Sequence, residues 1–127
     1  MYPEISLAVN FLAKLLKTRI SESDIDKFKS NLTRELASHY TSHWFPENPN
    51  LGSGYRCLRS VNGKMDPIVQ RVVGKCNLQI KGVLPPNISI WVDPSDVSVR
   101  IGEDGSIFPV PDASSGIDNL SNRFGVA

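Results

Sequence analysis

The segment from Ile88 to Gly105 reads ISIWVDPSDVSVRIGEDG, and its pattern determines the fold class. Apolar residues alternate with others on both sides of the Asp93-Pro94 pair, which is typical of two strands joined by a turn. The Glu-Asp-Gly sequence near its end is a further hairpin signal and leads into a third extended run, from Ser106 to Val110. The second half of the chain is therefore predicted to be mostly antiparallel sheet.

Two helices are predicted upstream of this sheet. The first spans roughly Pro3 to Thr18, where apolar residues recur at helical spacing. The second is capped by Ser21 or Ser23. Its apolar residues are three or four positions apart and are Ile25, Phe28, Leu32, Leu36 and Tyr40. Two amphipathic helices with a short polar connection should pack as an antiparallel pair, with one apolar face left to be covered.

The stretch between the two helices and the sheet is predicted to contain a loop, a strand and a short third helix. Prolines and glycines from residue 46 to residue 54 exclude a regular element and predict an ordered loop. Tyr55 to Val61 is then predicted as a strand that ends in an Asn62-Gly63 turn. Asp66-Pro67 has the cap-then-proline order of a helix start, so a short third helix is predicted up to Gly74. The predicted fold class is α+β: one domain, with an N-terminal antiparallel helix pair and further short helices around a small antiparallel sheet.

Composition excludes several classes of protein. The chain has 127 residues, of which 40% are hydrophobic, so it can form one self-sufficient core. Its net charge of +1 gives no reason to expect direct nucleic-acid binding, and no apolar run is long enough to span a membrane. Cys57 and Cys76 occur without a secretory signal, which favours a reducing compartment. Residues 1–110 are predicted to form the domain, and residues 111–127 a polar tail or linker.

Catalytic and metal sites find little support in the sequence. His39 and His43 have the spacing of two zinc ligands on one helix, but a third ligand is not indicated. Ser53 lies between two glycines but lacks the strand that precedes a nucleophile elbow. Arg56 and Arg59 near Tyr55 are a weak signal for phosphate binding. No catalytic residue, metal or cofactor is therefore predicted.

Two aromatic residues are better candidates for binding a partner. Tyr55 directly follows a glycine-rich loop, and Trp91 lies in the middle of a predicted strand. If the even-numbered positions of that strand face the core, then Trp91 faces the other way. It would then either be exposed to a partner or be covered by the loop at residues 44–54, and spacing alone does not separate these alternatives.

Two blocks of the sequence resemble the signature boxes of the BTG/Tob antiproliferative family. HWFPENPNLGSGYRCLRSVNGKMDP, at residues 43–67, is similar to the first box, and LPPNISIWVDPSDVSVRIGEDGS, at residues 84–106, is similar to the second. The resemblance covers about residues 1–110 and is strongest to the short-chain BTG members. It implies a single domain of helices around a small antiparallel sheet. Residues 112–127 match no C-terminal motif of the family.

The resemblance also implies a function, which is not catalytic. It implies an adaptor, cytoplasmic and nuclear, that binds the Caf-type catalytic subunit of the Ccr–Not deadenylase, promotes poly(A) shortening and restrains proliferation. The alternative is a transcriptional co-regulator that acts through other partners, such as transcription factors or RNA-binding proteins, and a monomer is expected in either case. The family's contact positions correspond to Tyr55, Asp66 and Trp91. Asp66 would cap the third helix and place a charge at the edge of the contact surface, and an asparagine there would keep the cap.

Overall fold

The structure is a computed structural model, and it describes residues 1–110. These residues form three helices and four strands. Along the chain the elements are α1 (Tyr2–Leu16), α2 (Glu22–Tyr40), β1 (Cys57–Ser60), α3 (Pro67–Lys75), β2 (Ile88–Asp93), β3 (Asp96–Ile101) and β4 (Phe108–Pro109). The predicted α+β class with an N-terminal helix pair is confirmed, whereas the predicted tail falls outside the described residues.

The two long helices form as their sequence pattern predicts. Ser21 is the N-cap of α2, and its hydroxyl accepts a hydrogen bond from the backbone N–H of Asp24 at 3.1 Å. The apolar stripe of α2 is buried from Phe28 to Tyr40, and α2 packs against both α1 and α3. Helix α1 also covers β2 and β3, so it closes one face of the sheet.

The four strands form one antiparallel sheet in the order β1-β2-β3-β4. The predicted Asn62-Gly63 turn follows β1, and both residues have positive φ, 52° and 81°. The predicted strand bounds were wrong at two places. Strand β1 spans Cys57–Ser60 instead of Tyr55 to Val61, and β4 contains only Phe108 and Pro109 instead of Ser106 to Val110. A proline cannot donate a ladder hydrogen bond, which keeps β4 a short edge strand.

Alternation along the strands gives the sheet two different faces. The inner face packs on the helices and supplies apolar residues to the core: Leu58, Ile88, Ile90, Val92, Val97 and Val99. The outer face carries Cys57, Arg59, Ser89, Trp91, Ser98 and Arg100. No helix within residues 1–110 is long and apolar enough to cross a membrane.

Candidate protein-binding surface

The loop between α2 and β1 is wound around a buried arginine. Arg56 is fully buried, and its Nε donates to the Val92 carbonyl at 2.7 Å. Nη1 donates to the carbonyls of His43 and Leu51, and Nη2 donates to the Pro49 carbonyl at 3.0 Å. A guanidinium has five N–H donors, and the ion pair with Asp93 uses the fifth. The loop is therefore ordered because its carbonyl groups converge on one side chain.

Neighbouring residues complete this buried ion pair. The second carboxylate oxygen of Asp93 accepts from the Ser53 hydroxyl at 3.1 Å, and Trp44 lies 5.3 Å from the guanidinium in a cation–π contact. A Cβ atom at Gly52 would lie 2.9 Å from Nη1 of Arg56, and the φ of Gly52 is +78°. Gly52 is therefore required for both the close approach and the backbone conformation. The hydroxyl of the glycine-flanked Ser53 thus has a structural partner in Asp93.

Tyr55 is exposed yet held in place. Its side chain is 44% exposed, while its ring stacks on the imidazoles of His39 and His43 with centroid distances of 4.4 and 3.8 Å. The Tyr55 hydroxyl also lies 3.3 Å from Nδ1 of His39. An aromatic ring that is fixed before binding loses little conformational freedom when a partner covers it.

The same geometry explains the histidine pair. His39 and His43 each stack in a nearly parallel orientation on the ring of Tyr55. Among residues 1–110, no three side chains of His, Cys, Asp or Glu are grouped so that they could hold a metal ion. His39 and His43, whose spacing suggested zinc ligands, thus support the ring of Tyr55.

Trp91 lies on the outer face of the sheet, as the alternation predicts. It is opposite Cys57 of β1 and Ser98 of β3, and it is absent from the residues that form or border the core. The side chain is partly exposed. The loop at residues 44–54 is bonded through Arg56 to Val92 and Asp93, at the end of β2, and Trp91 remains partly exposed.

Asp66 is the N-cap of α3, as predicted, but its carboxylate is buried. One oxygen accepts from the N–H groups of Ile68 and Val69, at 2.8 and 3.3 Å. The other accepts from the Arg59 N–H at 3.0 Å. With only 7% of the residue exposed, Asp66 does not place a free charge at the edge of the surface as expected. Its contact with a partner stays a prediction.

The second oxygen of Asp66 also binds a backbone N–H group at an edge of the sheet. Strand β1 is an edge strand, and unpaired N–H groups on such a strand invite pairing with another chain. On β1 the Cys57 N–H donates to the Gly54 carbonyl, the Arg59 N–H to Asp66 and the Val61 N–H to the Lys64 carbonyl. These local bonds occupy the outward N–H groups at this edge, so a partner would meet mainly the side chains of β1.

Replacement of Asp66 by asparagine is expected to destabilise the fold. Asparagine has one carbonyl oxygen, so if the amide keeps the cap, its NH₂ group faces the Arg59 N–H. A buried donor left without an acceptor costs about 1–3 kcal/mol of unfolding free energy. Asp66→Ala should lose about 1 kcal/mol more, because it also removes the cap. Urea unfolding of both variants, with Ser21→Ala as an ordinary exposed cap for comparison, measures these losses.

A result in which Asp66→Asn unfolds like the wild-type chain would contradict this structural role. It would restore the simpler expectation that asparagine and aspartate are equivalent caps at this position.

Cys57 lies on the outer face beside Trp91. Burial, together with the nearby Asp66 carboxylate, raises the pKa of the Cys57 thiol to about 11. Since the thiolate is the nucleophilic form, this thiol is poorly reactive at neutral pH.

The three predicted site residues converge on β1. Tyr55 lies two residues before the strand, Trp91 is opposite its first residue, and Asp66 is bonded to the backbone of Arg59. We call the partly exposed Tyr55 and Trp91, together with Cys57 and Arg59, the β1 surface. Sequence reasoning missed the role of Arg56 as the centre of the loop. Its five acceptors come from segments up to 37 positions away, so no local signal marks it.

Comparisons with known proteins agree with this architecture. The model of the BTG family matches residues 1–111. Human Protein BTG2 is 52% identical over 112 residues, covering 84% of this chain and 70% of BTG2. Human Protein BTG1 is 43% identical and covers 99% of this chain and 76% of BTG1. Mouse Protein Tob1 is 37% identical and covers 84% of this chain but 30% of Tob1.

A solved structure shows the same fold. The BTG/Tob domain of C. elegans FOG-3 superposes with a TM-score of 0.75 over 98% of this chain and 97% of that chain, at 23% identity. The identity is higher to BTG2 and BTG1 than to Tob1, in agreement with the predicted similarity to the short-chain members. On the family match and these relatives, the chain belongs to the BTG family, the antiproliferative family that its two sequence boxes resemble.

Proposed function

We propose that this protein is a non-catalytic adaptor that binds the Caf-type catalytic subunit of the Ccr–Not deadenylase through the β1 surface. In this role it brings the deadenylase to messenger RNAs, promotes poly(A) shortening and so restrains proliferation in the cytoplasm and nucleus. The observation that carries the proposal is the convergence of Tyr55 and Trp91 beside one strand, where both remain partly exposed.

The physical properties of this surface suit a protein partner. Aromatic residues that are rigid and partly exposed are over-represented among residues that dominate binding energy. Tyr55 is fixed by two stacked imidazoles, and the outward N–H groups of β1 are already bonded, so the partner meets a surface with little left to order.

The described residues offer no arrangement that favours catalysis over binding. The histidines are stacked on Tyr55, Ser53 is bonded to Asp93, and the pKa of the Cys57 thiol is raised. The two histidines and Ser53 thus have structural contacts, and the Cys57 thiol stays protonated at neutral pH. These contacts support the adaptor role.

Size-exclusion chromatography of the purified chain mixed with the purified deadenylase subunit tests the proposal. We expect a one-to-one complex that persists after ribonuclease treatment, since the contact is between proteins. The chain alone should leave a poly(A) substrate unchanged, and the same assay with the subunit present is the positive control. If the two proteins elute separately, or if their complex requires RNA, then the proposed adaptor function is wrong.

A further inference from the structure

The outer face of the sheet carries two arginines, Arg59 and Arg100, and Lys64 lies just beyond β1; none of the three forms an ion pair with another described residue. Arg59 and Arg100 both lie opposite Ser89 in the strand register, one on each side, so they stand in a single row across β1, β2 and β3. Trp91 is in the adjacent row, two positions along β2 from Ser89. Diagonal neighbours on a sheet lie about 7–8 Å apart, within reach of long side chains. Arg59 and Arg100 are therefore the diagonal neighbours of Trp91 on the two adjacent strands.

A shallow depression continues this face beyond Arg59. It has a volume of about 430 Å³ and lies where β1 passes through the Asn62-Gly63 turn toward α3. Apolar side chains make up much of its lining, and Val61 is 37% exposed. The lining residues are Arg59, Val61, Asn62, Lys64, Met65 and Pro67. Arg59 belongs to both the row and the depression, so the two features are continuous.

The charges on this face are not compensated within the described residues. The ion pairs among residues 1–110 involve Arg56, Arg71, Lys75 and the N-terminal amine, and none involves Arg59, Lys64 or Arg100. The nearby Asp66 carboxylate is engaged by three backbone N–H groups. Asp96 lies at the opposite end of β3 from Arg100, whereas Glu103 and Asp104 follow the near end of β3 but form no ion pair with Arg100. The surface around Arg59, Lys64 and Arg100 is therefore locally positive, although the net charge of the whole chain is only +1.

We propose that the binding surface extends from Trp91 across this positive row into the depression, and that it takes a protein surface with acidic side chains around an apolar group. This inference rests on the proposed function and defines the chemistry of the partner's contact surface. Arg59 and Arg100 bind carboxylates on either side of the indole, and Lys64 binds a carboxylate at the rim of the depression. The apolar lining and the small number of cations favour an acidic protein over a nucleic acid, which needs a wider basic surface.

Charge removal tests the proposal with the purified deadenylase subunit as the probe. We compare Arg59→Gln, Arg100→Gln and Lys64→Gln with the wild-type chain, and Arg34→Gln on the exposed side of α2 is the control of equal charge. At about 50 mM NaCl each of the three variants should bind about three- to tenfold more weakly, and at about 500 mM NaCl the difference should shrink to about twofold or less. Arg34→Gln should bind like wild type at both concentrations, and thermal melts should show that all four variants are folded.

The outcomes separate this inference from the function on which it rests. If wild type binds the subunit and Trp91→Ala weakens binding, while the three variants bind like wild type at low salt, then only the acidic partner surface is wrong. If wild type does not bind the subunit, then the proposed function fails and this inference fails with it. If a poly(A) oligonucleotide binds the wild-type chain, and the three changes weaken that binding instead, then the face recognises nucleic acid and the proposal is overturned.

Discussion

Replacement of Arg56 by methionine is expected to lower the free energy of unfolding by about 3–5 kcal/mol, because it leaves a buried carboxylate without its partner. Methionine keeps an unbranched apolar stem but removes all five N–H donors. Asp93 would then lose its ion pair and keep the bond from the Ser53 hydroxyl, and the carbonyls of His43, Pro49 and Leu51 would lose the bonds that Arg56 donates. Urea unfolding followed by circular dichroism measures the loss.

Two further variants show whether the guanidinium itself is responsible. Arg56→Lys keeps the charge but offers three donors from one nitrogen, so it cannot reach all five acceptors and should also be strongly destabilised. Arg59→Lys, three positions along on the exposed outer face, should change the free energy of unfolding by less than about 0.5 kcal/mol. Equal stability of the Arg56→Lys and Arg59→Lys variants would show that Arg56 does not organise the loop.

The contrast between these arginines shows what the sequence can and cannot predict. Helices α1 and α2 and the β2-β3 hairpin were predictable because their signals are periodic and local. The start of β1 was not, since the Arg56 N–H bonds to the carbonyls of Gly52 and Ser53 and holds Tyr55 in a turn. That turn depends on a guanidinium anchored at β2, which is a long-range contact.

The candidate site, too, was predictable from the sequence only in part. The period of β2 predicts the face on which Trp91 lies, but its degree of exposure depends on where the loop ends, which is a property of the tertiary structure. The proline after Asp66 predicts a helix cap, which the structure confirms. The second bond of the same carboxylate, to the Arg59 N–H, joins two elements that no local pattern connects. The burial of the Asp66 carboxylate was therefore the part of the site that sequence reasoning missed.

Replacement of Trp91 by alanine is expected to weaken binding of the deadenylase subunit while leaving the fold intact. Truncation of an aromatic anchor near the centre of an interface costs about 2–4 kcal/mol of binding free energy. Trp91 lies outside the core and between small side chains, Cys57 and Ser98, so its removal leaves no cavity in the core. Titration calorimetry of the variant against the subunit measures the affinity, and a thermal melt checks the fold.

The second tryptophan supplies the matched control. Trp44 borders the core and lies over the Arg56 guanidinium, so Trp44→Ala should lower the melting temperature of the free protein. At a temperature where it is folded, its affinity should fall less than that of Trp91→Ala, because its indole supports the loop and does not belong to the β1 surface. An affinity of Trp91→Ala within about threefold of wild type, less than about 1 kcal/mol, would show that the indole is not an anchor. If Trp91→Ala instead lowers the melting temperature as much as Trp44→Ala does, then Trp91 stabilises the fold and is not mainly a contact for the partner.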